Sequence, residues 1–167
     1  MLSKDALARL QDATIFWSIR QGTVAEVIEA ACDCLVAGVD SPSLRILAGV
    51  SPSESDQEML RWLEPTLDEL GLTFHPQGSQ DGENAVQIMA ARLLAGAVSP
   101  RELARWAHSA IGHEGTPLAE ELVMLDDVYD TLEYCGETEA EVDARVVAEA
   151  RRLTSTGDAT AATGSAA

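Results

Sequence analysis

The chain is predicted to be all-α, a compact antiparallel bundle of about six to seven helices with a disordered C-terminal tail. Three observations predict this. Hydroxyl-led helix starts alternate with glycine stops, apolar residues recur at helical spacing between them, and the alternating β-branched runs of a sheet are absent. With 167 residues, 46% of them apolar, the chain is long enough for a real core and too apolar for global disorder. A single domain over residues 1–153 is expected, followed by a tail over 154–167.

The starts read as capping boxes. Thr23 precedes Glu26, Ser51 precedes Glu54, Ser99 precedes Glu102 and Thr138 precedes Glu141 by three residues each. In that register a hydroxyl and a carboxylate satisfy amides that the first turn of a helix leaves unpaired. Pro42, Pro52, Pro100 and Pro117 follow cap positions, where the missing N–H costs nothing and φ is already helical. Gly22, Gly38, Gly49, Gly71, Gly96, Gly112 and Gly136 fall where a left-handed residue ends a helix.

Apolar faces fill the intervals. Val86, Met89, Ala90 and Leu93 share one, and Leu103, Trp106, Ala107 and Ala110 another. Leu118, Leu122, Leu125, Tyr129 and Leu132 form a longer stripe. Trp17, Trp62 and Trp106 fall on apolar faces and read as core. Pro65 should kink or split the Ser51–Gly71 helix after Leu63. Residues 72–80 make the best long connection. Residues 37–42 (Ala-Gly-Val-Asp-Ser-Pro) echo residues 95–100 (Ala-Gly-Ala-Val-Ser-Pro), as two uses of one turn chemistry. From Thr154 onward no large apolar side chain is available to anchor the chain, hence the expected disorder.

Charge narrows the functional classes. Lys and Arg number 11 against 28 Asp and Glu, a net charge of −17. Between Thr116 and Glu149 stand eleven acidic side chains and one basic one, Arg145. Such a chain lacks the basic footprint that direct nucleic-acid binding requires. No apolar run approaches a membrane span and the N-terminus does not lead into a signal-peptide core, so a cytoplasmic location is expected. Cys32 and Cys34 point roughly 200° apart on a helix. Cys135 is isolated, and all three read as structural thiols.

Enzymatic signatures are weak. There is no G-x-S-x-G elbow and no phosphate-binding glycine pattern. His108 and His113 are five residues apart with Gly112 ending the helix between them, so they miss the register of an H-E-x-x-H metal site. No catalytic residue, cofactor or metal is assigned. His113 is read as a helix C-terminal contact and His108 as a hydrogen bond to the next helix.

The carboxylates after residue 125 carry the stronger reading. Asp126 and Asp130 share a helical face, Glu133 extends it, and Asp127 and Glu137 lie close by. Like charges at this spacing cost a few tenths of a kcal/mol per pair, a cost that a basic protein partner would relieve while gaining encounter rate and register. Tyr129 belongs to the apolar stripe, which leaves Tyr134 as the aromatic anchor. The expected partner-binding set is therefore Asp126, Asp127, Asp130, Glu133, Tyr134 and Glu137. Two other readings stand beside it. One is a small metal-dependent enzyme in which His108 or His113 converges with Asp126, Asp127 or Asp130. The other is a regulatory or scaffold protein that binds through an apolar helix face.

Residues 93–107 (Leu-Leu-Ala-Gly-Ala-Val-Ser-Pro-Arg-Glu-Leu-Ala-Arg-Trp-Ala) combine a leucine-containing helix, a Gly-x-x-Ser turn and a Glu-containing helix leading to an aromatic residue. In this the chain resembles small helical immunity proteins of bacterial toxin systems, the colicin D immunity-like group. Residues 125–130 (Leu-Asp-Asp-Val-Tyr-Asp) fit more loosely. The resemblance implies an acidic helical bundle, not an enzyme, that binds a basic nuclease toxin and covers its active site. It assigns no toxin contact to any particular residue here.

Overall fold

The computed structural model describes residues 2–73 and 79–163, and its regular structure is entirely helical, with no strand among those residues. Nine α-helices and one 3-10 turn are present among them, more than the six to seven expected. The excess comes from short pieces that periodicity does not reveal, such as Pro42–Ala48 and Leu132–Cys135. No described helix is long and apolar enough to cross a membrane. The chain divides into two compact units, Met1–Asp81 and Gly82–Ala167, where its length suggested a single domain.

The first unit holds α1 (Ser3–Ser18), α2 (Val24–Val36), α3 (Pro42–Ala48) and α4 (Asp56–Leu70). Helix α1 packs on α2, α2 on α3 and α3 on α4. Their apolar faces meet in one core that includes Leu10, Val27, Cys34, Leu44, Met59, Leu63 and Leu67. Cys34 is buried there, and burial pushes its thiol up from the ordinary value, while Cys32 and Cys135 are exposed. All three are free thiols. Trp17 and Trp62 are half-buried at the edge of that core rather than inside it, which leaves the Trp62 indole N–H free to donate to Glu58 at 3.2 Å.

Two local expectations fail in α4. The helix starts at Asp56, capped by the Ser55 hydroxyl on the Glu58 amide, while Ser51 hydrogen-bonds Ser53 instead. Pro65 does not split the helix, which continues to Leu70. Its ring lies on the exposed side, and Leu63 and Leu67 hold both halves in the same core. The Thr66 hydroxyl donates to the Trp62 carbonyl at 2.6 Å, adding a bond next to the one that proline removes.

The second unit holds residues 82–94 of α5 (Ser79–Leu94), then α6 (Pro100–Ala110), a 3-10 turn (Pro117–Ala119), α7 (Glu120–Asp130), α8 (Leu132–Cys135) and α9 (Glu139–Thr163). Helix α7 packs on both α6 and α9. Leu103, Ala107, Leu122, Leu125, Val142, Val146 and Leu153 are fully buried, as are Val86 and Ala90 of α5. Trp106 is again half-buried. The expected boxes Thr23–Glu26, Ser99–Glu102 and Thr138–Glu141 all form. Gly38, Gly71, Gly96, Gly112 and Gly136 take positive φ, whereas Gly22 and Gly49 do not.

The expected connection over residues 72–80 lies mostly outside the described residues, and α5 has begun by Ser79. Helix α9 runs past Thr154, where disorder was expected, and continues to Thr163. Alanine-rich sequence favours the helix there, and the hydroxyls of Thr154 and Ser155 bond back to carbonyls one turn earlier. Residues 164–167 of the expected tail lie outside the described residues.

Candidate functional site

The densest polar constellation is assembled by α6, the loop after it and α7. The Ser99–Glu102 box fixes the start of α6, with the Ser99 amide donating to Glu102 at 2.7 Å. That bond holds the Glu102 carboxyl below its ordinary value. Leu103 and Ala107 bury the inner face, which leaves His108 half-exposed in the last turn.

After Ile111 the chain turns through Gly112 at φ 72°, a conformation that costs a side-chain-bearing residue about 1–2 kcal/mol. The loop then closes tightly. A Cβ on Gly115 would stand 2.3 Å from Ile111 Cγ2 and 2.7 Å from the Ile111 carbonyl oxygen. The Thr116 hydroxyl, which caps the 3-10 turn, also donates to Glu83 at 3.2 Å. Two glycines and one threonine thus bring His113 back over the end of α6. The His108 and His113 rings meet edge to face with centroids 5.0 Å apart.

Helix α7 supplies the carboxylates. Leu122, Leu125 and Tyr129 are buried, and Asp126 is drawn in beside them with only 8% of its surface exposed. Its Oδ2 lies 2.9 Å from His108 Nδ1, the bond to the next helix expected of His108. Asp127, one residue on, points outward. Its Oδ1 is 3.7 Å from His108 Nδ1 and its Oδ2 is 3.4 Å from His113 Nε2. His113 therefore faces Asp127, not the carbonyls ending α6. His108, His113 and Asp127 each offer one ligand atom within 4.8 Å of the others, a grouping able to hold a metal ion.

The expected partner-binding residues do not act as one row. Asp126 is buried and engaged by His108, so its carboxylate is not presented to a partner. Asp130 is exposed, 3.8 Å from Arg101, which also lies 3.9 Å from Glu139 and stacks over the Tyr129 ring at 5.4 Å. Helix α7 stops at Thr131, whose hydroxyl donates to the Asp127 carbonyl at 2.9 Å. Glu133 therefore belongs to the one-turn helix α8 and does not extend the Asp126–Asp130 face in register. Glu137 is half-buried, 3.2 Å from Arg145. Tyr134 is 85% exposed, whereas Tyr129 is 3% exposed. The Tyr129 hydroxyl donates to Asp143, and burial pushes its pKa above the ordinary 10.0.

The sequence allowed a convergence of His108 or His113 with Asp126, Asp127 or Asp130 only under the metal-dependent alternative, and the structure brings both histidines to Asp127. The available signal was Gly112 itself, because a left-handed turn after a helix reverses the chain and makes an i,i+5 pair neighbours. No protein-family model, curated protein or solved structure matches the chain.

Proposed function

We propose that this chain is a non-enzymatic, cytoplasmic binding protein, an antiparallel helical bundle that neutralises a cationic protein partner. A nuclease toxin, as for an immunity protein, is the partner class that fits the charge and the sequence resemblance. The observation that carries the reading is Tyr134. An aromatic ring 85% exposed on a one-turn helix, with Glu133 exposed beside it and Asp130, Glu137 and Glu139 nearby in sequence, has the composition of an interface hot spot with a charged rim. Helix α8 ends in Gly136 at φ 71°, so the ring is displayed on a short, sharply bounded turn. Asp127, Asp130, Glu133 and Glu137 would stand where substrate phosphates otherwise bind on the partner, and inhibition would be steric.

The test is capture from native lysate at about 50 mM and then about 500 mM salt, since contacts between exposed charges weaken as screening shortens. One basic protein should be retained in stoichiometric amount at low salt and weakened at high salt. It should be lost with Tyr134→Ala and be inhibited by the intact chain. Retention of nothing at either salt concentration would reject the reading.

A further inference from the structure

We propose that His108, His113 and Asp127 form a binding site for a divalent transition-metal ion, with Zn²⁺ the best fit to the ligands. The proposal shares Asp127 with the partner-binding acids named above but requires no protein partner. Three observations carry it.

The first is spacing. Two ligands about 2.0–2.1 Å from a tetrahedral zinc are about 3.3–3.4 Å apart. His113 Nε2 and Asp127 Oδ2 stand 3.4 Å apart. The three residues come from α6, the loop after it and α7, and one ligand atom of each lies within 4.8 Å of the others.

The second observation lies behind the triad. Metal-bound histidines characteristically donate their other ring N–H to a carboxylate, which fixes the tautomer and raises ligand basicity. Asp126 occupies that place for His108. It is buried and lies 2.9 Å from Nδ1, so a proton held there leaves the lone pair on Nε2. Asp126 is thus a positioning residue rather than a ligand.

The third is chemical selectivity. Two imidazoles and a carboxylate favour Zn²⁺ or a neighbouring first-row ion over Mg²⁺ and Ca²⁺, which prefer oxygen alone. The surrounding negative field adds attraction for any cation. His113 and Asp127 have side chains 56% and 51% exposed, so a bound ion would keep a fourth position open to water or to an outside ligand.

The experiment is calorimetric titration of the chelator-treated full chain with Zn²⁺ alone, in excess Mg²⁺ to occupy oxygen-only sites on the acidic surface. One saturable site per chain is expected. His113→Ala and Asp127→Asn should each weaken it at least ten-fold, and Asp126→Asn about ten-fold to a hundred-fold. Co²⁺ should give the visible absorption of a tetrahedral site, lost in His113→Ala. Both ligand variants alter exposed side chains, and circular dichroism of each confirms that it folds. Absence of saturable Zn²⁺ binding in excess Mg²⁺ would overturn the proposal. So would binding unchanged in His113→Ala and Asp127→Asn.

Discussion

The two units carry similar charge, thirteen acidic to five basic side chains over residues 1–81 and fifteen to six over residues 82–167, but they deploy it differently. In the first unit several carboxylates close bonds within or between its helices. Asp33 pairs with Arg9, Asp40 with Arg45, Glu26 completes the cap of α2, and Glu69 accepts from the Ser43 amide and hydroxyl. The second unit contains similar bonds at Glu102, Glu141 and Glu149. It also sets two consecutive aspartates against two imidazoles and leaves an aromatic ring among acids. Net charge therefore does not locate a site. What matters is whether a carboxylate is taken up by the hydrogen bonds and ion pairs of the fold or left exposed beside an imidazole or an aromatic ring.

Core truncations should cost about the same in either unit. Leu63→Ala in the first and Leu125→Ala in the second each remove a fully buried side chain and should cost about 2–5 kcal/mol by urea unfolding. A much smaller loss at one of them would show that its unit is loosely packed.

The sharper contrast is Asp126→Ala against Asp40→Ala. The first strands a half-buried imidazole and should cost about 1–3 kcal/mol. The second removes one side of an exposed pair and should leave the urea midpoint unchanged within error. Equal losses at both positions would erase the distinction drawn between the units.

Acid should weaken both units. Glu69 is held below its ordinary 4.5 by the Ser41 and Ser43 hydroxyls, Glu102 by the Ser99 amide and Glu141 by the Thr138 amide. A carboxyl depressed on folding stabilises the native state above its unfolded value, and that contribution is lost as pH falls through the folded value. Unfolding midpoints should therefore drop as pH falls below 4.5. Glu102→Gln should make that drop shallower.

The smallest effect is a gain. Arg20 sits at φ 61° after α1, and the amides of Arg20 and Gln21 bond Trp17 and Phe16 carbonyls in the pattern that Gly38 and Val39 make after α2. Arg20→Gly removes the left-handed penalty and should raise stability by about 0.5–1 kcal/mol, measured by urea unfolding.

Much of the fold was legible because its signals are local. The cap at Ser99 and the stop at Gly96 need only their immediate neighbours, and the same turn chemistry recurs at Gly38 and Ser41. Ser51 is the expected start of α4, but Ser55, which also has a glutamate three residues on, caps the helix. Only packing of the helix that follows chooses between them. Pro65 misled because the rule against interior proline weighs only the local backbone bond, and here Leu63 and Leu67 on either side of it are held in one core. In the site, the His108–Asp126 bond follows from adjacent helices. The approach of His113 to Asp127 depends on a glycine turn whose direction spacing alone does not encode.

The proposed function places partner recognition on the acids around Tyr134 in the second unit and not on the exposed acids of the first. Two triple variants that change charge equally test it most directly. Asp130→Asn, Glu133→Gln and Glu137→Gln would be compared with Glu29→Gln, Glu54→Gln and Glu64→Gln for capture of a basic protein from lysate at low salt. The account predicts that the first triple abolishes capture and the second leaves it intact. Equal loss in both would show that net charge alone drives association and would contradict the claim.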